Sequence, residues 1–406
     1  MTQALPETAL PPPSAAAGGP FVHAAEGART IFLVTLAAAC GPLAAGIVLF
    51  GWRAGVVAAL SIGSCAAFER LYYRVTKVPS LLGRTHAYLT GVLLALTLPP
   101  FVPWYVPVTA AAFAIIVGKA VFGGVGHFLW QPALVGRLAV AAIFAGTTMS
   151  TGTNPPQWPV LAQDRLVVGD VRTAKDPGLY HDWRGRPAPV GGDGFLLPPL
   201  RTTLAGITDA REPAYSAIAT PAEPGLPHNP VLILRLPAIN DFIYGAVPGG
   251  IGETCAAVLL IAGIYLIYRN YVHWQVPLMF ILSAAVVAAI APIYLAGPND
   301  TVRTVWWPIV SEGVGMGEKV SIGALYVCYQ LLGGGLLLAA FFLAPEMTSR
   351  PVTRGGQFVF GIGCGVGAML LQLYTTLPIP AYLAVLGMNT LTPMIDALTR
   401  RRRGRT

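Results

Sequence analysis

The sequence predicts an all-α integral membrane protein, with about ten transmembrane helices in two five-helix halves separated by a long outer loop. Three observations carry this expectation. Of 406 residues, 54% are hydrophobic and only 11% charged, where a soluble domain carries about 25% charged residues. A chain this long would otherwise divide into two or three soluble domains, and its 26 basic and 18 acidic side chains cannot coat their surfaces. Apolar windows recur near the length that crosses a hydrocarbon core, roughly 17 to 25 residues. Finally, basic residues gather at alternate connections, as the positive-inside bias requires.

Ten windows run from Thr30 to Gly51, Ala54 to Tyr72, His86 to Leu98, Trp104 to Val121, Pro132 to Met149, Ile251 to Tyr268, Gln275 to Leu295, Val320 to Leu343, Phe358 to Tyr374 and Ala381 to Leu398. The third is short and ends in Leu98-Pro99-Pro100, which reads as a partly re-entrant segment. An even count puts both termini on one side. Arg400 to Arg403 and Arg405, then Arg70, Arg74, Lys77, Arg84, Lys119, Arg269, Arg350 and Arg354 all fall there, against Arg53, Arg303 and Lys319 in short connections opposite. Both termini are therefore expected in the cytoplasm. The net charge of +8 is a topological signal plus a basic tail at 399–406 that can touch anionic headgroups, and no nucleic-acid partner is expected.

Residues 1–28, with Pro11 to Pro13 and an Ala/Gly run, read as a flexible cytoplasmic tail without the pattern of a cleaved signal peptide. The halves occupy 29–149 and 249–398, five windows each, as in an inverted repeat. Between them, 150–248 holds 15 of the 36 prolines. By parity it is an extracytoplasmic insert, far longer than an ordinary loop. Its apolar run Val231 to Leu236 suits a strand. Cys40, Cys65, Cys255, Cys328 and Cys364 stand singly in apolar stretches, so neither a local disulfide framework nor a thiolate-bound cluster is encoded.

Two glycine-rich helix mouths stand out. Gly118-Lys119 leads into Gly123, Gly124 and Gly126, His127, and then Gln131-Pro132 at a helix start. Glycines there let backbone N–H groups approach a ligand, and the helix N-terminus after Pro132 favours anionic or carbonyl oxygens. Tight helix packing by small residues is the alternative use. The second mouth, Pro248-Gly249-Gly250-Ile251-Gly252-Glu253-Thr254, opens the second half. Glu253 is either an ion-pathway acid within the membrane or an acidic cap favoured by the helix dipole. Glu69 and Asp396 read as interfacial carboxylates at helix ends. Trp158, Trp183, Trp306 and Trp307 fall near the outer face, placed to stack on a planar ring or to form an aromatic belt. There is no strand-Gly-x-Gly-x-x-Gly-helix fingerprint for NADH.

The strings "TGVLLALTLPP" from Thr90, "GK" at 118, "FGGVG" from 122 with "QPALVGR" from 131, "PGGIGET" from 248 and "NTLTPMID" from 389 resemble, in order and spacing, the B subunit of sodium-translocating NADH:quinone oxidoreductases and the D subunit of Rnf electron-transport complexes. The resemblance covers all ten windows. It implies a bacterial inner-membrane subunit of a multi-subunit, ion-translocating electron-transfer complex, with other subunits of that complex and the lipid bilayer as partners and quinone as a further candidate. It also implies flavin, FMN or riboflavin. The family's signature Asp-x-x-Ser-Gly-Ala-Thr carries FMN on its threonine. Here the best fit, Thr202 to Thr208, keeps Gly206 and Thr208 but neither the acid nor the serine, so covalent attachment at Thr208 stays open. Other departures are Gln131 for asparagine, Gly250 for serine and Glu346-Met347-Thr348-Ser349 for Asp-Pro-Val-Thr. The expected flavin contacts are Thr208, Gly123, Gly124, Gly126, Gln131, Gly249, Gly250 and Gly252, with Glu253 on the ion pathway. The alternative is a non-redox scaffold or carrier of the same fold that has lost its flavin.

Overall fold

A computed structural model describes residues 27–77, 85–100, 102–124, 127–144, 239–245, 250–296, 302–305, 322–333, 335–375 and 379–400. Thr208, Gly126, Gly249, the Val231 to Leu236 run and the four outer tryptophans lie outside the described residues.

The first window forms α1 (Ala28–Phe50), which accommodates Pro42, and Gly51 at φ +79° turns the chain directly into α2 (Trp52–Thr76). The third and fourth windows give α3 (Thr85–Thr97) and α4 (Tyr105–Ile115). The last turn of α4 widens into a π-helical segment, Ile116–Ala120. Helix α5 (Pro132–Ile143) starts on two local devices: Pro132 needs no N–H in the first turn, and the Gln131 side chain accepts from Leu134 N at 2.8 Å. A short α6 (Ile239–Tyr244) precedes α7 (Ala256–Tyr268) and α8 (Gln275–Ile290).

The expected seventh window reached Leu295, but the helix stops at Ile290 because Pro292 supplies no N–H and disfavours helix in the residue before it. The chain goes on as β1 (Ile293–Ala296), paired antiparallel with β2 (Val302–Val305), so the described architecture is helical apart from one hairpin. The eighth window is also interrupted. It forms α9 (Ile322–Leu332), breaks at the glycines ending in Gly335 (φ +69°), and resumes as α10 (Leu336–Leu338), which runs into a second π-helical segment, Ala339–Leu343. Helices α11 (Arg354–Tyr374) and α12 (Pro380–Thr399) complete the chain. The Thr353 side chain caps α11 by accepting from Gly356 N at 3.1 Å. Asp396 accepts from Val352 N, Thr353 N and Thr353 Oγ1, so this carboxylate anchors the start of α11 onto α12 rather than resting free at an interface.

Helices α1, α2 and α11 are long and apolar enough to cross a membrane, whereas α3, α4 with its π segment, α5, α7 and α8 are shorter apolar helices. In the N-terminal part α2 packs on α3 and α4, α4 on α5 and α1 on α3; in the C-terminal part α8 packs on α11 and α11 on α12. Contacts of α1 with α7 and α5 with α12 join the two parts. Several crossings depend on the absence of a side chain. A Cβ at Gly136 would stand 2.3 Å from Ala110 O, and one at Gly365 would stand 2.2 Å from Phe280 O. Such close approach is how apolar helices associate where burial of apolar surface supplies no drive between them. Outward, Ile261, Ile264 and Tyr268 on α7, Leu278, Leu282 and Val286 on α8, and Val359 and Ile362 on α11 are exposed. Apolar faces of this extent belong against lipid or partner subunits. Together with the apolar helices they identify a membrane protein.

Candidate functional site

Helix α3 lies between two polar centres, His86 at its start and the Thr97 turn at its end, about 16 Å apart at 1.5 Å per residue. At the C-terminal end every one of the last four carbonyls has a donor. Leu94 O accepts from Thr97 Oγ1 at 2.7 Å, Ala95 O from Leu98 N at 3.1 Å, Leu96 O from Gly252 N at 3.0 Å and Thr97 O from Arg137 Nε at 2.8 Å. Ile251 N then donates to Leu98 O at 3.1 Å. A helix end in an apolar bundle would otherwise leave these oxygens unsatisfied at high cost. The fully buried Arg137 also places a cation at the negative end of the α3 dipole.

The segment 250–255 is therefore not the first turn of α7, as its place in the sixth window suggested, but a re-entrant turn: Ile251 N and Gly252 N donate to the end of α3, and Glu253 N to Gly250 O within the turn. Its glycines permit close approach. A Cβ on Gly252 would lie 2.4 Å from the Leu96 side chain, and one on Gly46 of α1 would lie 1.9 Å from Ile251 O. Gly250 packs against the Glu253 carboxylate, which accepts from Gly250 N at 3.4 Å and from the Tyr382 hydroxyl of α12. Gly335 approaches the same carboxylate. Glu253 thus sits where the re-entrant turn, the break before α10 and α12 meet, with α7 starting three residues later.

The first mouth is arranged differently. Gly123 (φ +94°) and Gly124 (φ +99°) adopt backbone that other residues rarely reach, and among the described residues nothing lies within 4 Å of where either Cβ would be. His127 is exposed beside them, and the Phe122 and Trp130 rings meet edge to face at 5.5 Å. Trp130 Nε1 donates to Thr390 Oγ1 of α12 at 2.9 Å, tying this loop to the C-terminal part. Gln131 is 1% exposed and occupied in capping α5. The open backbone at Gly123 and Gly124 fits the approach of a flavin. At the second mouth Gly252 is filled by Leu96 and Gly250 by the Glu253 carboxylate, so the described residues there do not fit one.

At the other end of α3 the structure assembles a centre that the sequence did not reveal. Lys119, in the π segment after α4, pairs with Glu69 of α2. Its Nζ is also 3.2 Å from His86 Nδ1, and His86 Nε2 is 3.2 Å from Glu346 Oε1, just beyond the second π segment. Glu69 is 3% exposed, Lys119 2%, His86 0% and Glu346 9%. Glu69 is thus a buried partner and not the interfacial carboxylate expected. Lys119 is likewise more than a topological charge. Ionisable residues inside membrane segments are functional candidates by default, and that signal applied to Glu69, His86 and Lys119, which fall within the expected windows, but not to Glu346, which lies beyond the eighth. The contact between His86 and Glu346, 260 residues apart in sequence, was not readable. Both π segments lie beside this centre, which suits their frequent association with functional sites. Among the described residues no group of three His, Cys, Asp or Glu side chains is arranged to hold a metal ion, and all five cysteines are free.

Comparison with known proteins agrees with this arrangement of motifs. The profile of the NQR2, RnfD, RnfE family matches residues 15–404. The chain is 31% identical over 368 residues to the D-type subunit of an ion-translocating oxidoreductase complex from Stutzerimonas stutzeri, covering 88% of this chain and 86% of that protein. It is 28% identical over 385 residues to the D-type subunit of a Na(+)-translocating ferredoxin:NAD(+) oxidoreductase complex from Acetobacterium woodii, covering 94% and 92%. A third relative, from Halorhodospira halophila and named like the first, is 29% identical over 392 residues, covering 95% and 93%. With a match running through both glycine mouths, the π segments and the α12 motif, the chain belongs to the NQR2, RnfD, RnfE family.

Proposed function

We propose that this protein is the membrane-embedded D-type subunit of an ion-translocating oxidoreductase complex, as its relatives are named, and that it binds flavin. In this reading the chain makes ten spans in two five-helix halves, both termini are cytoplasmic and 150–248 lies outside. The membrane is the bacterial inner membrane, and the partners are the other subunits of the complex, with quinone a candidate acceptor. The observation that carries it is the join at the end of α3, where Leu96 O, Thr97 O and Leu98 O are held by Gly252 N, Arg137 Nε and Ile251 N. Irregular backbone at membrane depth survives only when buried in protein or lining a cavity, and transporter folds place their sites at such interrupted helices between halves.

Flavin, when bound, takes up and releases electrons. The protein's part is to bind and orient it: Gly123 and Gly124 offer open backbone for the ring or phosphate, and Thr208 offers the hydroxyl for attachment of FMN. Glu253, hydrogen-bonded by Tyr382, is the ion-pathway acid of this reading. The packed state of Gly250 and Gly252 against Glu253 and Leu96 favours the second reading, a non-redox scaffold or carrier of the same fold, at that mouth alone.

The two readings separate on the purified chain. Under ultraviolet light the denatured band fluoresces if FMN is covalently attached, and Thr208→Val abolishes that fluorescence. A dark band with a coloured native complex indicates FMN or riboflavin held noncovalently. A gently isolated complex without flavin in any form refutes the redox reading and leaves the scaffold.

A further inference from the structure

We propose that Glu69, Lys119, His86 and Glu346 form a proton relay that loads one proton onto the Glu346 carboxyl across the join between the N- and C-terminal parts of the bundle. Glu69, Lys119 and His86 come from α2, the π segment after α4 and α3; Glu346 follows the π segment of the second part. Two consecutive 3.2 Å contacts run from Lys119 Nζ to His86 Nδ1 and from His86 Nε2 to Glu346 Oε1.

Donor logic fixes the direction of these bonds. An ammonium only donates, so Lys119 gives hydrogen bonds to Glu69 and to His86 Nδ1. His86 then carries its proton on Nε2 and donates to Glu346. In this state two carboxylates face one ammonium, an excess of one negative charge in a buried apolar setting, which one added proton neutralises. Buried charge of that kind is costly unless compensated. Among the described residues, two oxygens at the extremities, Glu69 Oε2 and Glu346 Oε2, are buried without a hydrogen-bond partner. They are the places where a proton can be received and held.

The step balances without any further reagent than a proton from water. Glu69 receives it at the bundle end and passes it to Lys119 as Lys119 releases one to His86 Nδ1. His86 Nε2 releases its proton to Glu346 Oε1. Only N–H and O–H bonds form and break. Lys119 ends charged, Glu69 ionised, Glu346 neutral and His86 in its other tautomer. The Nδ1–H then has Thr90 Oγ1 at 3.3 Å as an acceptor. Among the described residues, the other groups facing the chain are few. From α2 the Cys65 thiol and the Tyr73 phenol lie within electrostatic reach of Glu69. Phe32 of α1 meets the His86 ring edge to face at 4.9 Å, and Phe128 lies 5.4 Å away. These two rings flank the imidazole of His86.

This inference does not need flavin, and its test is independent of the redox reading. The full chain, embedded in lipid nanodiscs, is taken through a rapid drop in pH while the infrared carbonyl stretch of protonated carboxyl groups is followed. Glu346→Gln identifies the band of Glu346 by removing it. Lys119→Arg keeps the ion pair to Glu69 but places there a guanidinium that does not release its proton. The expected result is that Glu346 protonation in Lys119→Arg and in His86→Ala slows about tenfold or more, and that added imidazole restores the rate in His86→Ala. A wild-type spectrum without the Glu346 band overturns the relay, as does an unchanged rate in Lys119→Arg. The arginine variant decides the matter even where His86→Ala does not fold.

Discussion

The two ends of α3 answer one physical demand in opposite ways. At its C-terminal end the buried polar groups are backbone carbonyls, and they are satisfied by backbone N–H groups of Leu98, Ile251 and Gly252, by the Thr97 hydroxyl and by a single cation, Arg137. At its N-terminal end the polar groups are charged side chains, satisfied by one another through Glu69, Lys119, His86 and Glu346. The backbone solution is the more rigid, because most of its donors are main-chain N–H groups fixed by chain geometry and close glycine contacts. The side-chain solution has protons that can move. The difference teaches which end is the frame and which carries chemistry: the same bundle is pinned at one end and left titratable at the other.

The comparison breaks most visibly at Lys119. Removing it in Lys119→Met leaves Glu69 buried beside no countercharge, and breaking a buried pair in this way costs about 3–5 kcal/mol. The expected outcome is a large fall in the thermal midpoint of the detergent-purified protein. Much of the loss should return in the double variant Glu69→Gln/Lys119→Met, because an uncharged pair has no unmet ionic partner. If the double variant is as unstable as the single one, packing around Lys119 rather than charge is what holds this end.

The backbone end is tested by adding one methyl group. In Gly46→Ala the new Cβ would fall 1.9 Å from Ile251 O, so the re-entrant turn must move and the Ile251 N and Gly252 N bonds to α3 with it. Overpacking of this kind costs about 1–3 kcal/mol. A lowered midpoint with faster hydrogen exchange at 251 and 252 is expected, without change at residues 86 and 119. Exchange rising equally at both ends would mean that α3 transmits the disturbance and that the two centres are one.

A smaller effect is expected at the carboxylate between the two parts. Tyr382→Phe removes the hydroxyl that donates to Glu253 while leaving the ring in place, and loss of a hydrogen bond to a charged group costs about 1.5–3 kcal/mol before any relaxation. Because Gly250 N still reaches the same carboxylate, the net change should fall at the low end of that range. Glu253→Gln keeps one oxygen for Gly250 N and reverses the other contact, its amide N–H donating to the Tyr382 hydroxyl oxygen, and should alter stability less still. If instead it abolishes ion movement by the assembled complex, Glu253 carries charge through the membrane and its hydrogen bonds serve to position it.

What the sequence disclosed follows the same division. The glycines at 250 and 252 marked the right stretch, because close backbone approach can be met only by residues without a side chain. They did not disclose that the surface approached is Leu96 and the end of α3. Gln131-Pro132 announced the start of α5, and the structure has both the cap and the first-turn proline. The helix lengths were less legible. Apolar character continues through Pro292 and through the glycines before Leu336, so hydropathy ran across breaks that backbone chemistry imposes. The ionic end was the hardest to read. Glu69, Lys119, His86 and Glu346 are visible singly, but pairing between residues as far apart as 86 and 346 is a property of the folded bundle. Without partners, a lone carboxylate near a helix end looks interfacial.

The smallest expected effect sharpens the claim that titratable behaviour belongs to the ionic side of the bundle. His273 lies in the connection between α7 and α8, outside the helices, and its imidazole is held below the usual value of 6.5 by partial burial and then by the neighbouring Arg350 and Arg354. Burial likewise brings the Arg350 guanidinium down to about 10. A histidine that binds its proton less readily when folded than when unfolded makes stability rise with pH in the window below about 6.5, since the unfolded chain binds more protons there. Above that window its contribution is complete, and it fades as the pH falls through the folded value. The thermal midpoint should therefore drop slightly between neutral and mildly acidic pH, and His273→Asn should flatten that part of the profile without changing it at about pH 8. Because the residue is exposed, solvent screens the arginines and the change must be small. A profile unaltered by His273→Asn would show that this imidazole does not set the acid sensitivity of the fold.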